Sequence, residues 1–285
     1  MDRPARLIVN ADDLGLSEGI DRAIFAAHDA GIVTSASVLT TGPAFEHAAR
    51  GLAERPALGV GVHLCLHEER PALPPASIPT LVGADGRLLP LGTVVRRLLT
   101  GALRPAEIEQ EYGGQVARAL EAGIAVDHLD SHCHLHAWPP LARSVRAVAE
   151  RFGIRGVRRP EASRPAEFAR APLARWPLAA AITLCSRAAR SALGPSLVSP
   201  DRFVGLVQSG SAHAAWIERA VRSLEPGLVT ELMVHPGDGS DPSASADHGP
   251  AQRRGEFDAL TSPALARALR ECGVRLVDYR DLAPC

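Results

Sequence analysis

Short apolar runs, each halting at a polar side chain and followed by a helical pattern, recur through the chain. Residues 7–11 (LIVNA), 34–39, 58–64 (LGVGVHL), 124–130, 154–157, 229–234 and 274–277 read as strands buried on both faces. Helix signals fill the intervals. Ser17 offers an N-cap to a helix with Ile20, Ile24 and Ala27 on one face and Gly31 closing it. Pro43 opens a helix running to Glu54, and Pro105 opens AEIEQEYGGQVARALEAG despite its internal Gly113-Gly114. Further helices are expected over 140–151 and 262–272. Such alternation demands a parallel sheet with crossover helices, and this many units predict a TIM-like (β/α) barrel, with room for an irregular strand count. A chain of 285 residues is ordinary for one such domain, so residues 1–285 are read as a single unit.

Three stretches depart from the pattern. Residues 67–92 are punctuated by Pro and Gly over too long a span for a connector, and read as a structured loop or lid. Residues 161–204 contain PLAAAITLCSRAARSAL, with Leu178, Ala181, Ile182, Cys185, Ala189 and Leu193 at helical spacing and Arg187 opposite; this predicts an amphipathic insertion near the barrel mouth. Residues 236–255, rich in Gly, Ser, Asp and Pro, read as a flexible loop.

Charge excludes some functions. Lys plus Arg (31) nearly cancel Asp plus Glu (32), so no global field draws nucleic acid or an anionic membrane. The odd cysteine set, Cys65, Cys133, Cys185, Cys272 and Cys285, lacks a CxxC pair and fits thiols in a reducing compartment. The start of the chain does not read as a signal peptide, and residues 176–185 supply only half of the roughly 20 apolar residues a spanning helix needs. The expectation is a cytoplasmic protein without a transmembrane segment; homo-oligomerisation is left open.

HLDSHCHLH (128–136) packs four histidines into nine residues, a density that suits a divalent metal better than a surface loop. Asp12 and Asp13, His63, the His132 cluster and His235 all fall at the C-terminal ends of predicted strands, the face on which barrel active sites assemble. One carboxylate, Asp13, and two imidazoles, His63 and His132, form the expected ligand set for one divalent ion. Zinc, manganese, cobalt or iron suits such mixed ligation, whereas magnesium prefers more oxygen. Asp12 is assigned as the base that deprotonates the attacking water, and His235 as general acid or as the group stabilising the departing amine. At period two His134 and His136 share the face of His132, so they and Asp130 are candidates to orient a ligand or touch substrate. His128 is read as structural. Cys133 is expected to face away from His132, and buried packing is the default for it and Cys65. Taken singly, each feature has a plainer reading: the Asp pair as a helix cap, His63 as a core histidine.

LIVNADDLGLSEGI, GIVTSASVL, GVGVHLCL and HLDSHCHLH, in this order and at these separations, resemble the YdjC-like carbohydrate deacetylases, a group that includes chitooligosaccharide and hopanoid-biosynthesis-associated deacetylases. The likeness is close over the N-terminal half and thinner through ERPALPP, DRFVGLVQSG, TELMVHPG and RLVDYRDL. It implies a TIM-like barrel, removal of acetyl from an N-acetylated sugar, and a divalent metal, magnesium by family precedent, held by the second aspartate and two histidines. Position by position, it makes Asp12 the base and Asp13, His63 and His132 the ligands, while His235 in MVHPG matches a histidine-proline element. Leu14 stands where the family usually has Phe, which alters packing and not chemistry. RPALPP and PLARWPLAAAITL look more like the hopanoid branch. That likeness implies a glycolipid acceptor and a transient membrane-surface contact through the amphipathic insertion. Two rivals share the ligand chemistry: a metal-dependent phosphoesterase on the same scaffold, for which two metals about 4 Å apart would speak, and a non-catalytic sugar- or lipid-binding protein with a structural metal.

Overall fold

A computed structural model describes residues 3–162, 173–209, 212–240 and 248–282. The N-terminal strand, β1 (Arg6–Leu14), is the axis of the sheet. It is followed by α1 (Glu18–Asp29), β2 (Ser35–Val38), α2 (Phe45–Ala53) and β3 (Gly59–Leu64). Next come α3 (Leu91–Leu99), α4 (Pro105–Glu121), β4 (Val126–Ser131), α5 (Pro139–Phe152) and β5 (Gly156–Val157). The chain continues through α6 (Trp176–Leu193), β6 (Arg202–Val204), α7 (Ala214–Arg222), β7 (Val229–Val234), α8 (Pro250–Leu260), α9 (Pro263–Glu271) and β8 (Arg275–Leu276).

All pairings in the sheet are parallel, in the order β5-β4-β3-β2-β1-β7-β6, with β8 joined to the start of β1. The α/β alternation therefore stands, but closure does not: the path is a half-barrel of seven strands. Between β5 and β6 the ladder is replaced by isolated bridges, Gly156 to Val198 and Ala162 to Phe203. β5 and β6, at two and three residues, are too short to carry a continuous ladder across that seam. The main core cluster runs from Leu7, Val9 and Ile24 through Val62, Leu129 and Val145 to Leu232 and Leu265, with smaller clusters around Phe203 and around Ile8.

Other expectations change. The end of the 161–204 segment is a strand of the sheet, because β6 pairs β7. Within it α6 buries Ala179, Ile182, Thr183, Ser186, Ala189 and Leu193, while Leu178 is 67% exposed and Ala181 is also outward. The buried stripe tolerates small polar residues because Thr183 donates to Ala179 O and Ser186 reaches Glu161, so the apolar residues do not define it alone. Residues 163–172 lie outside the described residues. The 67–92 stretch is anchored: Ile78, Leu81, Leu88 and Leu89 enter the core, and the α4 carboxylates Glu107 and Glu111 accept hydrogen bonds from the backbone of Thr80, Ala72 and Leu73. Of the expected flexible loop, 241–247 are outside the described residues, and the remainder leads into α8, opened by Pro250 at its first turn.

Candidate metal centre

Asp12 and Asp13 sit inside the last turn of β1 and not beyond it. On a regular strand they would face opposite ways. The β1–β2 register shifts between Ala11 and Leu14, and Asp13 adopts the left-handed region at φ 69°, so the bulge turns both carboxylates toward the same end of the sheet. Holding a non-glycine residue there costs of order 1 kcal/mol or more, a strain concentrated at functional sites.

His63, near the end of β3, and His132, just after β4, meet Asp13. His132 Nδ1 lies 3.0 Å from Asp13 Oδ1, His63 Nε2 lies 3.5 Å from it, and the two nitrogens are 3.3 Å apart. Asp13 Oδ1 is buried and, despite the nearby nitrogen, has no hydrogen bond of acceptable geometry among the described residues. A buried carboxylate oxygen without a donor, facing two imidazole nitrogens, fits a divalent cation in chemistry and in spacing. Burial would raise the Asp13 carboxyl, but the Arg253 guanidinium, 2.6 Å from Oδ2, and then His132 and His235, hold it well below the usual carboxylate range. Burial would depress His63; Asp130, which accepts from Nδ1 at 2.9 Å, and the Asp12 and Asp13 charges outweigh it and hold the imidazole up to about 9. The site thus calls for positive charge where a cation would displace the His63 proton.

Asp12 is held by Arg158, a fully buried residue immediately after β5. Its two terminal nitrogens donate to Asp12 Oδ2 and Oδ1 at 2.6 Å each, Nε donates to Glu231 at 2.8 Å, and one terminal nitrogen also lies 2.6 Å from Asp130 Oδ2. Asn10 donates a further hydrogen bond to Asp12 Oδ1 at 2.9 Å. Ser37 joins Asn10 to Asp130, and Tyr279 donates to Glu231 at 2.6 Å. His235 follows β7 with its Nε2 3.9 Å from Asp12 Oδ2; burial, then His248, depress its imidazole well below the usual range.

The structure does not bring His134 and His136 to this triad. Residues 132–137 form a 3-10 turn in which Cys133 and His134 take left-handed conformations, so the two-residue period of a strand no longer applies. His136 is fixed by Ser131 Oγ and the Arg158 carbonyl, and the His134 ring packs edge-on to Phe203. Asp130 touches His63 directly, and His128 stacks on Tyr279. Cys65 is buried, but Cys133 is exposed, and its sulfur lies in one group with donor atoms of His67 and His132. Sequence reading missed Arg158, Arg253, Glu231 and His67. Arg158 occupies a strand-end position of the kind that marked the aspartates, whereas Glu231 lies in the middle of β7.

A family model described as YdjC-like protein matches residues 6–271. The chain is 33% identical to a carbohydrate deacetylase from Geobacillus stearothermophilus, with 98% of each chain covered. It is 31% identical to a chitooligosaccharide deacetylase from Serratia marcescens, over 97% of this chain and 98% of that one. Among solved structures, an Enterococcus faecalis protein provisionally described as cleaving cellobiose phosphate superposes with TM-score 0.76 at 26% identity, covering 98% of this chain and 99% of that one. A family 4 carbohydrate esterase from Streptomyces lividans, at 14% identity and TM-score 0.50 over 99% and 100%, shares the fold.

Proposed function

This chain belongs to the YdjC-like family, and from that premise we propose that it is a metal-dependent carbohydrate deacetylase, hydrolysing the acetamide of an N-acetylated sugar. The observation that carries the reading is the meeting of Asp13 Oδ1, His63 Nε2 and His132 Nδ1 within 3.5 Å of one another beside Asp12. Relatives named as carbohydrate and chitooligosaccharide deacetylases along nearly the whole chain support it.

In this reading Asp13, His63 and His132 hold one divalent cation, which when bound polarises the acetyl carbonyl and acidifies water. Asp12 is the general base, and the atom can be named. A carboxylate has about four lone-pair positions. Asn10 and Arg158 occupy Oδ1, and Arg158 takes one position on Oδ2. The remaining one is on Oδ2, which lies 3.9 Å from His235 Nε2. A proton taken there passes to His235, which its depressed imidazole makes a strong acid toward the departing amine. Arg158 orients the base, and Asp130 orients His63 by accepting from Nδ1.

Within this class the acceptor is proposed to be a glycolipid. Support comes from the outward leucines on and before α6, Leu173, Leu178 and Leu184, with Trp176 among them. No helix among the described residues is long and apolar enough to cross a membrane, so this contact is superficial. Acetate release from a water-soluble N-acetylglucosaminyl oligomer and from its lipid-linked form, assayed side by side, tests both levels. Faster release from the lipid-linked form is expected, and equal rates refute the glycolipid assignment. Phosphate-ester turnover without acetate release would favour a phosphoesterase. Asp12→Asn should lower kcat by about 10²–10⁴-fold with metal content nearly unchanged; loss of the metal would show that the two aspartates are wrongly divided.

A further inference from the structure

The loop after β3 repeats, one step outward, the device that prepares His63. His63 gives Nδ1 to a carboxylate, Asp130, and turns Nε2 to the cation position. His67 lies with Nδ1 3.3 Å from Glu68 Oε2. A carboxylate on Nδ1 fixes the tautomer that leaves a lone pair on Nε2, the usual preparation of a metal-binding imidazole. His67 is 97% buried, being 3% exposed, and its Nε2 has no hydrogen-bond partner among the described residues. Its ring stacks on His132 with centroids 5.1 Å apart, and donor atoms of His67, His132 and Cys133 lie within 4.8 Å of one another. Glu68 and Cys133 both adopt left-handed backbone, at φ 62° and 55°, so each segment is turned against its local preference where the two meet.

We propose that His67, His132 and Cys133 form a second cation site at the rim of the first, selective for thiophilic ions such as zinc or cadmium. The inference rests on the assignment of Asp13, His63 and His132 to the first cation. A sulfur donor with two imidazoles selects soft ions and rejects magnesium, whereas the inner set with its carboxylate accepts harder ones. His132 is common to both as a bridging imidazolate: Nδ1 already faces Asp13, and the proton on Nε2 is released to solvent when the outer ion binds there. The two ions are then separated by the ring, farther apart than the roughly 4 Å of two-metal hydrolases, so the outer ion does not share the reacting oxygen. Its effect is to pin His67 and His132 together when zinc is abundant.

Cadmium titration of the whole protein, followed by bound-metal analysis and thiolate-to-cadmium absorption, tests this. The expected result is two equivalents per chain, with the thiolate band rising with the second. Cys133→Ser should bind one equivalent without the band, and His67→Gln, which removes one of the three ligands, should weaken the second equivalent by more than about tenfold, since even a partner that only orients a ligand is worth that much. A wild-type protein that stops at one equivalent, or a Cys133→Ser protein that keeps two or keeps the band, overturns the outer site alone. Uptake of none would overturn the inner assignment with it.

Discussion

Arg158→Met is the sharpest test of how the site is held. The side chain is fully buried and its guanidinium contacts Asp12, Asp130 and Glu231, all buried, at 2.6 to 2.8 Å. Methionine fills similar space but leaves three carboxylates without their cation. Asp12 would retain Asn10, Asp130 would retain Ser37 and His63, and Glu231 would retain Tyr279, so hydrogen bonds survive while charge compensation does not. Removing one partner of a buried ion pair costs about 3–5 kcal/mol, and that range is expected at pH 8. The variant escapes by taking up a proton, which raises a carboxyl pKa in the folded state. Native protein then binds more protons than unfolded protein, so variant stability falls as pH rises, by up to about 1.4 kcal/mol per pH unit for one proton. The deficit relative to wild type should therefore shrink to about 1–2 kcal/mol near pH 5. Urea unfolding at both pH values reads the two numbers, and Arg158→Lys, which keeps charge without the planar fork, should fall between. A deficit below about 1 kcal/mol at pH 8, or one equal at both pH values, refutes the account.

Glu256 accepts the His235 backbone N–H at 2.6 Å, and burial, its largest influence, pushes its carboxyl up to about 7. The folded state therefore holds that proton between the unfolded value near 4.5 and about 7, and stability should decline by up to about 3 kcal/mol as pH rises through this window; Glu256→Gln should flatten the slope in pH-dependent unfolding, and an unchanged slope would remove Glu256 as its source. In β3, a Cβ at Gly61 would meet His128 Nε2 at 2.3 Å. Gly61→Ala should cost about 1–3 kcal/mol by overpacking and shift His128 away from Ser37, 3.3 Å distant, which a Tm unchanged within error would contradict.

The strands were legible because the central ones are largely buried and so carry short apolar or β-branched runs; β3 and β7 expose nothing, although Thr230 and Glu231 interrupt the run of β7. β6 was not, since three residues, RFV, carry no period, and α8 was hidden by the charged and Gly-containing string PAQRRGEFDAL. At the site, carboxylates and imidazoles announced themselves by ending strands. Arg158 and Arg253 did not, because each begins an Arg-Arg pair and a charged pair in sequence reads as surface. Three buried acids, Asp12, Asp130 and Glu231, demand a buried cation, and that requirement becomes visible only once the fold brings β1, β4 and β7 around one guanidinium. The shared face expected for His132, His134 and His136 does not form, because strand alternation does not extend past Ser131 into a turn with left-handed residues.

The ion pair between Arg253 and Asp13 joins positions 240 apart in the chain. During synthesis β1, β2 and β3 can emerge and pair long before α8 exists, leaving Asp13 desolvated with no guanidinium beside it. The nascent sheet must therefore either keep that end wet or borrow a counter-ion until translation reaches Arg253, and maturation of the pocket is set by the last third of the chain to leave the ribosome.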